Sequence, residues 1–490
     1  MTLLAYKQRL NLFQNPSNRR AGWWSPVDQT AIRTMPMKKI LLVMIALWSV
    51  LFSLCSFAVD VDLTRFGPRE YSPDIVTPNV DRESFFGVPG DANLIINASG
   101  TSESAAEGAA ASIQINGVEV FSRSNLERGE ATIEVPVALA ETNSIRVELM
   151  GNEGSGITVR IKQKVQVDLG VVGRIHFNLS TADFKSSKDF YRHLGFADSI
   201  GPFPETNTIE VARGVGVNRP YKIYAEILYL GKLGPEPLDL LKPTGRMMDV
   251  IEWKDPRNES PAYPYLYNLG ISRAAFTTTD LDADMSALQA SGTHFLSPPA
   301  KYADGSRFVI GRDPDGTFFE LLEPPGTEPR LVNDSHVTDV HHLTINVSDF
   351  ERSREFYKML GFTGGNQLPE TESMEVAQAM GLDQPYHVRA ESIVHAGDGS
   401  QIELVEWQQP RDLTPPHPQP ANHYGIQRIN YATTDLAGDI AKLKAQGVTF
   451  LSEIAPCCDG AASTFGFVLL FDPDGNFFQL MGAIVPKKGL

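Results

Sequence analysis

Two stretches of this chain match almost letter for letter, and they differ at the residue where chemistry would sit. One is "GRDPDGTFFELLE", residues 311–323, and the other is "FDPDGNFFQLM", residues 471–481. Four positions after the turn glycine the first carries Glu320 and the second Gln479. A carboxylate is a good ligand for a divalent cation, whereas a neutral amide is a poor one. The pair therefore asks whether one half of the protein keeps a metal site that the other half has lost. Asp-Pro-Asp-Gly itself needs no such role. Proline presets φ, the aspartates bond to nearby backbone N–H groups and glycine accepts positive φ, which together make a turn.

Aligned on itself, the chain is a tandem repeat over its last two thirds. "RIHFNLSTADFKSSKDFYRHLGF", residues 174–196, faces "HHLTINVSDFERSREFYKMLGF", residues 341–362. Further on, "MMDVIEWKDPR" faces "QIELVEWQQPR", and "GISRAAFTTTDLDADMSALQASGTHFLS" faces "GIQRINYATTDLAGDIAKLKAQGVTFLS". Residues 168–326 and 336–485 are thus read as sister domains, joined by the Pro-rich "EPPGTEPRLVNDS". Each repeats once more within itself as a strand, an Asp-containing turn, a helix and further strands. That makes four strand–helix–strands units. Phe190, Tyr191 and Leu194 fall at helical spacing and are expected to pack on the sheet. In the first copy a longer excursion separates Glu226 from Asp249, 23 positions against 12 between Glu391 and Glu403, and it suits a lid, a partner surface or a plain loop.

The order of these motifs, "HxxxxxxD", "FYxxLGF" and "DPDGxxxEL", given twice, resembles the vicinal oxygen chelate superfamily of glyoxalase I, bleomycin-resistance proteins and extradiol dioxygenases. The resemblance covers residues 168 to about 485. It implies an α+β fold in which paired βαβββ units form curved sheets that cup a divalent metal and a substrate. It also implies ligands at four places. His176 and His342, each seven residues before an Asp, occupy the first, and Asp249 and Glu403 the second. Arg273 and Arg428 stand at the third, where the family has histidine; Glu320 and Gln479 stand at the fourth. A guanidinium is always protonated and offers only donors, so it cannot ligate a metal but can supply the positive charge a metal would supply. The resemblance therefore leaves His176, Asp249 and Glu320 as a three-ligand set for Fe(II), Mn(II) or Zn(II) in the first domain, and only His342 and Glu403 in the second. Two readings of Arg273 and Glu320 stand side by side: substrate anchor and proton-transferring base, or a buried ion pair holding two units in register. Arg428 either clamps a ligand carboxylate or pairs with Glu403. Gln479 and the matched tyrosines Tyr221 and Tyr386 are candidate cavity-lining groups, with core packing the plainer account of the tyrosines.

What precedes the repeat differs in character. Residues 59–166 alternate apolar and polar residues in short runs such as "ASIQINGVEVF" and "NSIRVELMG". That is the pattern of an all-β sandwich, and it resembles the immunoglobulin-like modules of exported bacterial proteins. Residues 1–58 hold seven Lys and Arg and one acid, with a basic start at Lys38 and Lys39, an apolar run from Ile40 and small residues before Val59. This reads as an export signal over about 35–58, with an uncleaved anchor as the alternative. Export implies the periplasm or the cell exterior. The remaining 36 basic against 58 acidic residues make a strongly acidic body that repels phosphate backbones, which argues against nucleic acid as a partner. No membrane contact is expected beyond the signal segment. The adjacent Cys457 and Cys458 are read as two loop cysteines, with a strained vicinal disulfide as the alternative.

Three functions follow. The first is an exported metal-dependent lyase, isomerase or dioxygenase acting on vicinal oxygens of a small molecule, with the first domain as its site. The second is a metal-free small-ligand binder of the bleomycin-resistance type. The third is a cell-envelope scaffold in which the sandwich makes protein contacts.

Overall fold

The computed structural model describes residues 58–484 except 73–78, 101–108, 127–131, 152–154, 206, 237, 371–372, 419 and 458–462. The expected export signal, through Phe57, lies outside the described residues, as does Cys458. Among the described residues no helix is long and apolar enough to cross a membrane.

Eight strands come first: β1 (Val59–Tyr71), β2 (Asn79–Phe86), β3 (Gly90–Gly100), β4 (Ala109–Ile115), β5 (Val118–Leu126), β6 (Ile133–Leu139), β7 (Thr142–Met150) and β8 (Ser155–Val167). They form two four-stranded sheets, ordered β1-β8-β3-β6 and β2-β7-β4-β5. The alternation seen in the sequence puts Leu94, Ile113, Ile145, Val147, Ile157 and Ile161 into one apolar cluster shared by both sheets. The β1–β8 pair also contributes Val61, Leu63 and Val167 to the core of the repeat region. Polar contacts fix that junction, with Arg65 donating to Gln446 at 2.8 Å and Lys162 2.8 Å from Glu355.

The four repeat units follow. The first holds β9 (Val171–Thr181), α1 (Phe184–His193), β10 (Asp198–Ile200), α2 (Ile209–Gly214), β11 (Lys222–Tyr229) and β12 (Met247–Asp255). The second holds β13 (Gly270–Thr278), α3 (Leu281–Ala290), β14 (Ala300–Lys301), β15 (Arg307–Arg312) and β16 (Phe318–Glu323). The third holds β17 (Val337–Asn346), α4 (Phe350–Met359), β18 (Phe362–Gln367), α5 (Met374–Ala379), β19 (His387–His395) and β20 (Gln401–Gln409). The fourth holds β21 (Gly425–Thr433), α6 (Leu436–Ala445), β22 (Ala455–Pro456), β23 (Phe465–Phe471) and β24 (Phe477–Ala483). The aspartate that marks each unit is the N-cap of its first helix. Asp183, Asp280, Asp349 and Asp435 each accept a hydrogen bond from the backbone N–H three residues on, at 2.7–3.1 Å.

The units do not pair in sequence order. One eight-stranded sheet runs β10-β11-β12-β9-β21-β24-β23-β22, joining the first unit to the fourth. The other runs β14-β15-β16-β13-β17-β20-β19-β18, joining the second to the third. Their outer faces and the unit helices share one large core, in which Phe177, Tyr191, Phe276, Leu343, Tyr357 and Tyr431 are buried. Each inner face carries its own apolar cluster, around Trp253 and Phe467 in one sheet and Trp407 and Phe308 in the other.

Units adjacent in sequence meet through the DPDG turn instead. Asp313 takes the backbone N–H groups of Asp315 and Thr317 and also the Tyr191 hydroxyl of the first unit at 3.0 Å. Asp472 repeats this with Tyr357 of the third unit at 2.9 Å. Besides closing a turn, the motif ties one sheet to a helix of the other. The two crossings between sheets, residues 256–269 and 410–424, run side by side, linked by Asn258 to Asn422 at 3.0 Å and Asn268 to Asp412 at 2.6 Å.

Candidate functional site

The pairing divides the candidate residues between two cups. His176, Asp249, Arg428 and Gln479 share the first–fourth sheet, and His342, Glu403, Arg273 and Glu320 share the second–third sheet. The set of His176, Asp249 and Glu320 is therefore not assembled. Glu320 pairs in register with Ala275 on β13, and β13 lies beside β17 rather than β9. Arg428 and Glu403, a candidate ion pair from the sequence, likewise fall in different sheets.

Register makes the two cups directly comparable. In one sheet a rung across four strands reads Asp249, Asn178, Arg428, Phe477, and the next reads Met247, His176, Asn430, Gln479. In the other sheet the same rungs read Glu403, Thr344, Arg273, Phe318 and Gln401, His342, Ala275, Glu320. Side chains alternate across a strand, so both rungs of each sheet present to the inner face.

The Arg273 cup is closed by its own charges. Arg273 donates through Nε to Glu320 Oε2 at 2.7 Å and through Nη2 to Glu403 Oε2 at 2.7 Å. Tyr302 adds a hydrogen bond to Glu320 at 3.3 Å and Thr344 one to Glu403 at 2.8 Å. His342 Nε2 lies 3.5 Å from Glu403, beyond good hydrogen-bond range, and its Nδ1 is 2.8 Å from His341 Nδ1. Against the effect of burial, Glu403 and Glu320 hold Arg273 firmly protonated. Burial is likewise outweighed at Glu403, whose carboxyl His342 and Arg273 hold well below the usual range. The ion-pair reading of Arg273 and Glu320 is what the geometry displays, extended to Glu403 of the neighbouring unit. Tyr386 packs against Trp407 with ring centroids 5.3 Å apart, inside the apolar cluster of this cup.

The Arg428 cup is open. Asp249 is one methylene shorter than Glu403 at the same register, and it takes the Asn178 amide at 2.6 Å instead of reaching the arginine. Arg428 donates through Nε to Gln479 Oε1 at 2.6 Å and through Nη1 to Gln427 Oε1 at 3.2 Å. Both acceptors are neutral, and among the described residues Arg428 forms no ion pair. Burial lowers its pKa, the opposite of the shift at Arg273, though Asp249 and Tyr221 work against that lowering. Burial also raises the Asp249 carboxyl to about 6, against Arg428 and the Asn178 bond. It pushes His176 down to about 3 with Arg428 adding to the effect, so His176 is neutral. His176 Nε2 sits 3.0 Å from the Asn430 amide nitrogen. Its Nδ1, Asp249 Oδ1, Asn178 Oδ1 and Asn430 Oδ1 are buried with no hydrogen-bond partner.

His176, Asn178, Asp249, Arg428 and Gln479 floor a cavity of about 660 Å³. Its walls are apolar, with Val211, Ile223, Phe465, Phe467 and Met481 among them, and Tyr221 also lines it. Tyr221 stacks toward Trp253 at 5.0 Å between centroids, so it serves wall and core together. The excursion between β11 and β12 adds Leu233, Leu238, Leu240 and Leu241 to the lining. Gly231 and Gly245, near its two ends, take positive φ of 93° and 68°, which glycine adopts without strain. The third unit has only a tight turn at this place, so this part of the lining is particular to the Arg428 cup. Cys457 lines the same cavity and is disulfide-bonded, which departs from the expected pair of loop thiols.

Neither donor set fits a resident metal. In the open cup the third ligand position holds a guanidinium, which has no lone pair and repels a cation. In the closed cup Arg273 lies between both glutamates and would have to be displaced. Among the described residues no three His, Cys, Asp or Glu side chains converge on one point. Asn178 and Asn430 were missed from the sequence. The signal was present for Asn178, which lies two residues after His176 on one strand and so shares its face.

Residues 245–321 and 339–480 match the model of the Glyoxalase/Bleomycin resistance protein/Dioxygenase superfamily. Among solved structures the chain is similar to glyoxalase I from Zea mays, at 16% identity over 63% of this chain and 92% of that one, with a TM-score of 0.40. It is also similar to a putative dioxygenase from Bacillus subtilis, at 14% identity over 65% of this chain and 87% of that one, TM-score 0.40. A fosfomycin resistance protein from Listeria monocytogenes is similar at 13% identity over 30% of this chain and 95% of that one, TM-score 0.20. No curated protein matches the chain. The matched segments, from β12 to β16 and from β17 to β24, are similar to domains of the glyoxalase, bleomycin resistance and dioxygenase superfamily.

Proposed function

We propose that this chain binds a small molecule with a carboxylate head and an apolar body in the Arg428 cup, without a resident metal. One observation carries the reading: two arginines at equivalent register, one neutralised by two carboxylates and the other facing only amide oxygens in a roomy cavity. Arginine does not give up its proton, and a buried charge is costly unless paired. A ligand carboxylate supplies the missing partner in the bidentate geometry a guanidinium favours. The apolar walls and the leucine-bearing excursion then favour a ligand that is otherwise hydrophobic. This differs from the metal-dependent lyase, isomerase or dioxygenase that the resemblance implied, because no such ligand set comes together among the described residues.

The test is calorimetric titration of the full chain with a panel of aromatic and branched aliphatic carboxylates. Binding should be indifferent to EDTA and should weaken roughly 10-fold or more in Arg428→Gln. EDTA-sensitive binding, or one copurifying metal per chain that is lost in Asp249→Ala, would refute the reading.

The same proposal places the protein in the periplasm or outside the cell, supported by the basic start and apolar run of residues 35–58. Residues 59–166 then act as an immunoglobulin-like spacer or docking module. A mature N-terminus at Val59 in the exported fraction is the expected result, and a full-length cytosolic chain the contrary one.

A further inference from the structure

The floor of the Arg428 cup carries more than one charge, and its unpaired atoms are mostly acceptors. Asp249 and Arg428 lie on the same rung, on strands separated by β9. Strands are spaced about 4.8 Å, so their backbones stand about 10 Å apart with Asn178 between them. Asn178 Nδ2 donates to Asp249 Oδ2, which fixes the amide and turns its oxygen elsewhere. Asp249 lines the cavity, and its Oδ1 has no donor. A bare carboxylate would satisfy Arg428 and leave the Asp249 charge unmet. The other cup shows what these positions accept when the protein fills them itself: there Glu403 bridges to Arg273, and the Thr344 hydroxyl donates from the middle strand.

On the reading that Arg428 anchors an anion, we propose that this cup takes an α-amino acid with a bulky apolar side chain. Its carboxylate lies on Arg428, its ammonium faces the Asp249 carboxylate, and its side chain enters the cavity walled by Ile223, Phe465, Phe467 and Met481. An ammonium brings three donors and one positive charge. A zwitterionic head thus matches one guanidinium and one carboxylate without adding net charge to the floor. The 660 Å³ cavity is ample for an aromatic side chain.

Three probes with the same ring and carboxylate separate the possibilities: L-phenylalanine, L-3-phenyllactate and 3-phenylpropionate, which carry an ammonium, a hydroxyl and a hydrogen at C2. Calorimetric titration of the full chain should rank them in that order, with phenylalanine roughly 10-fold or more tighter than phenylpropionate. In Asp249→Asn the advantage of phenylalanine should disappear while phenylpropionate stays within about 3-fold of its wild-type affinity. Should that variant not fold, the ranking on the wild-type chain decides alone. Equal affinities, or phenylpropionate tightest, overturn the amino-acid inference and leave the anion-binding reading standing. Phenyllactate tightest overturns the ammonium and assigns the site to 2-hydroxy acids. No binding of any probe overturns both.

Discussion

Lengthening Asp249 by one methylene should close the open cup. In the other sheet a glutamate at this register reaches its arginine at 2.7 Å. Asp249→Glu adds one C–C bond, about 1.5 Å of reach, across a gap set by two strand spacings of about 4.8 Å. Room is not limiting, since the floor opens on the cavity. Arg428 is already buried in the wild type and Asp249 half-buried, so part of the usual desolvation penalty of making a buried pair is incurred before the substitution. A hydrogen bond between charged groups contributes about 1.5–3 kcal/mol, and that is the stabilisation expected. A ligand carboxylate must then displace the new glutamate from Arg428, so affinity for phenylpropionate should fall roughly 10- to 100-fold. Urea unfolding followed by tryptophan fluorescence reads the first effect, with Trp253 on β12 beside the change. Titration reads the second. A variant that binds as the wild type does, with no gain in stability, would refute the account of why the two cups differ.

The closed cup gives the reciprocal expectation. Glu320→Gln, which installs the residue of the open cup, should destabilise the chain by about 1.5–3 kcal/mol in urea unfolding because the bond from Arg273 loses its charge on one side. Carboxylate affinity at Arg428 should not change, as Glu320 lies in the other sheet. A second expectation concerns acid. His423 is 4% exposed, stacks on His417 at 4.0 Å between centroids, and burial with His417 pushes it down to about 3. An unfolded histidine titrates near 6.5, so below that pH the unfolded chain takes a proton that the folded chain refuses. Stability should be unaffected by His423 above pH 6.5 and should fall by about 1.4 kcal/mol per pH unit between 6.5 and about 3. His423→Phe should show a shallower slope than the wild type in urea unfolding at pH 5 to 7, and an equal slope would count against the assignment.

Much of this was legible in the residues. The four units, the helix starts at Asp183, Asp280, Asp349 and Asp435, and the burial of Phe190, Tyr191 and Leu194 follow from capping chemistry and helical spacing. The departure of Arg273, Arg428 and Gln479 from a metal-ligand pattern was also visible, because residue type alone decides whether a lone pair exists. The Tyr191–Asp313 and Tyr357–Asp472 bonds were not, since each joins residues more than 100 positions apart.

What the sequence alone determined, then, is the set of parts: four units, two arginines where ligands would be, one glutamate and one glutamine. Only the tertiary structure decided which of them meet. The central strands β9, β13, β17 and β21 are buried on both faces over most of their length, so little in their patterns favours one partner over another. Partner choice was settled by the core between the sheets, by the DPDG contacts to Tyr191 and Tyr357, and by the paired crossings at 256–269 and 410–424. That choice sent Glu320 to Arg273 and left Arg428 with an amide and a carboxylate one methylene too short to reach it.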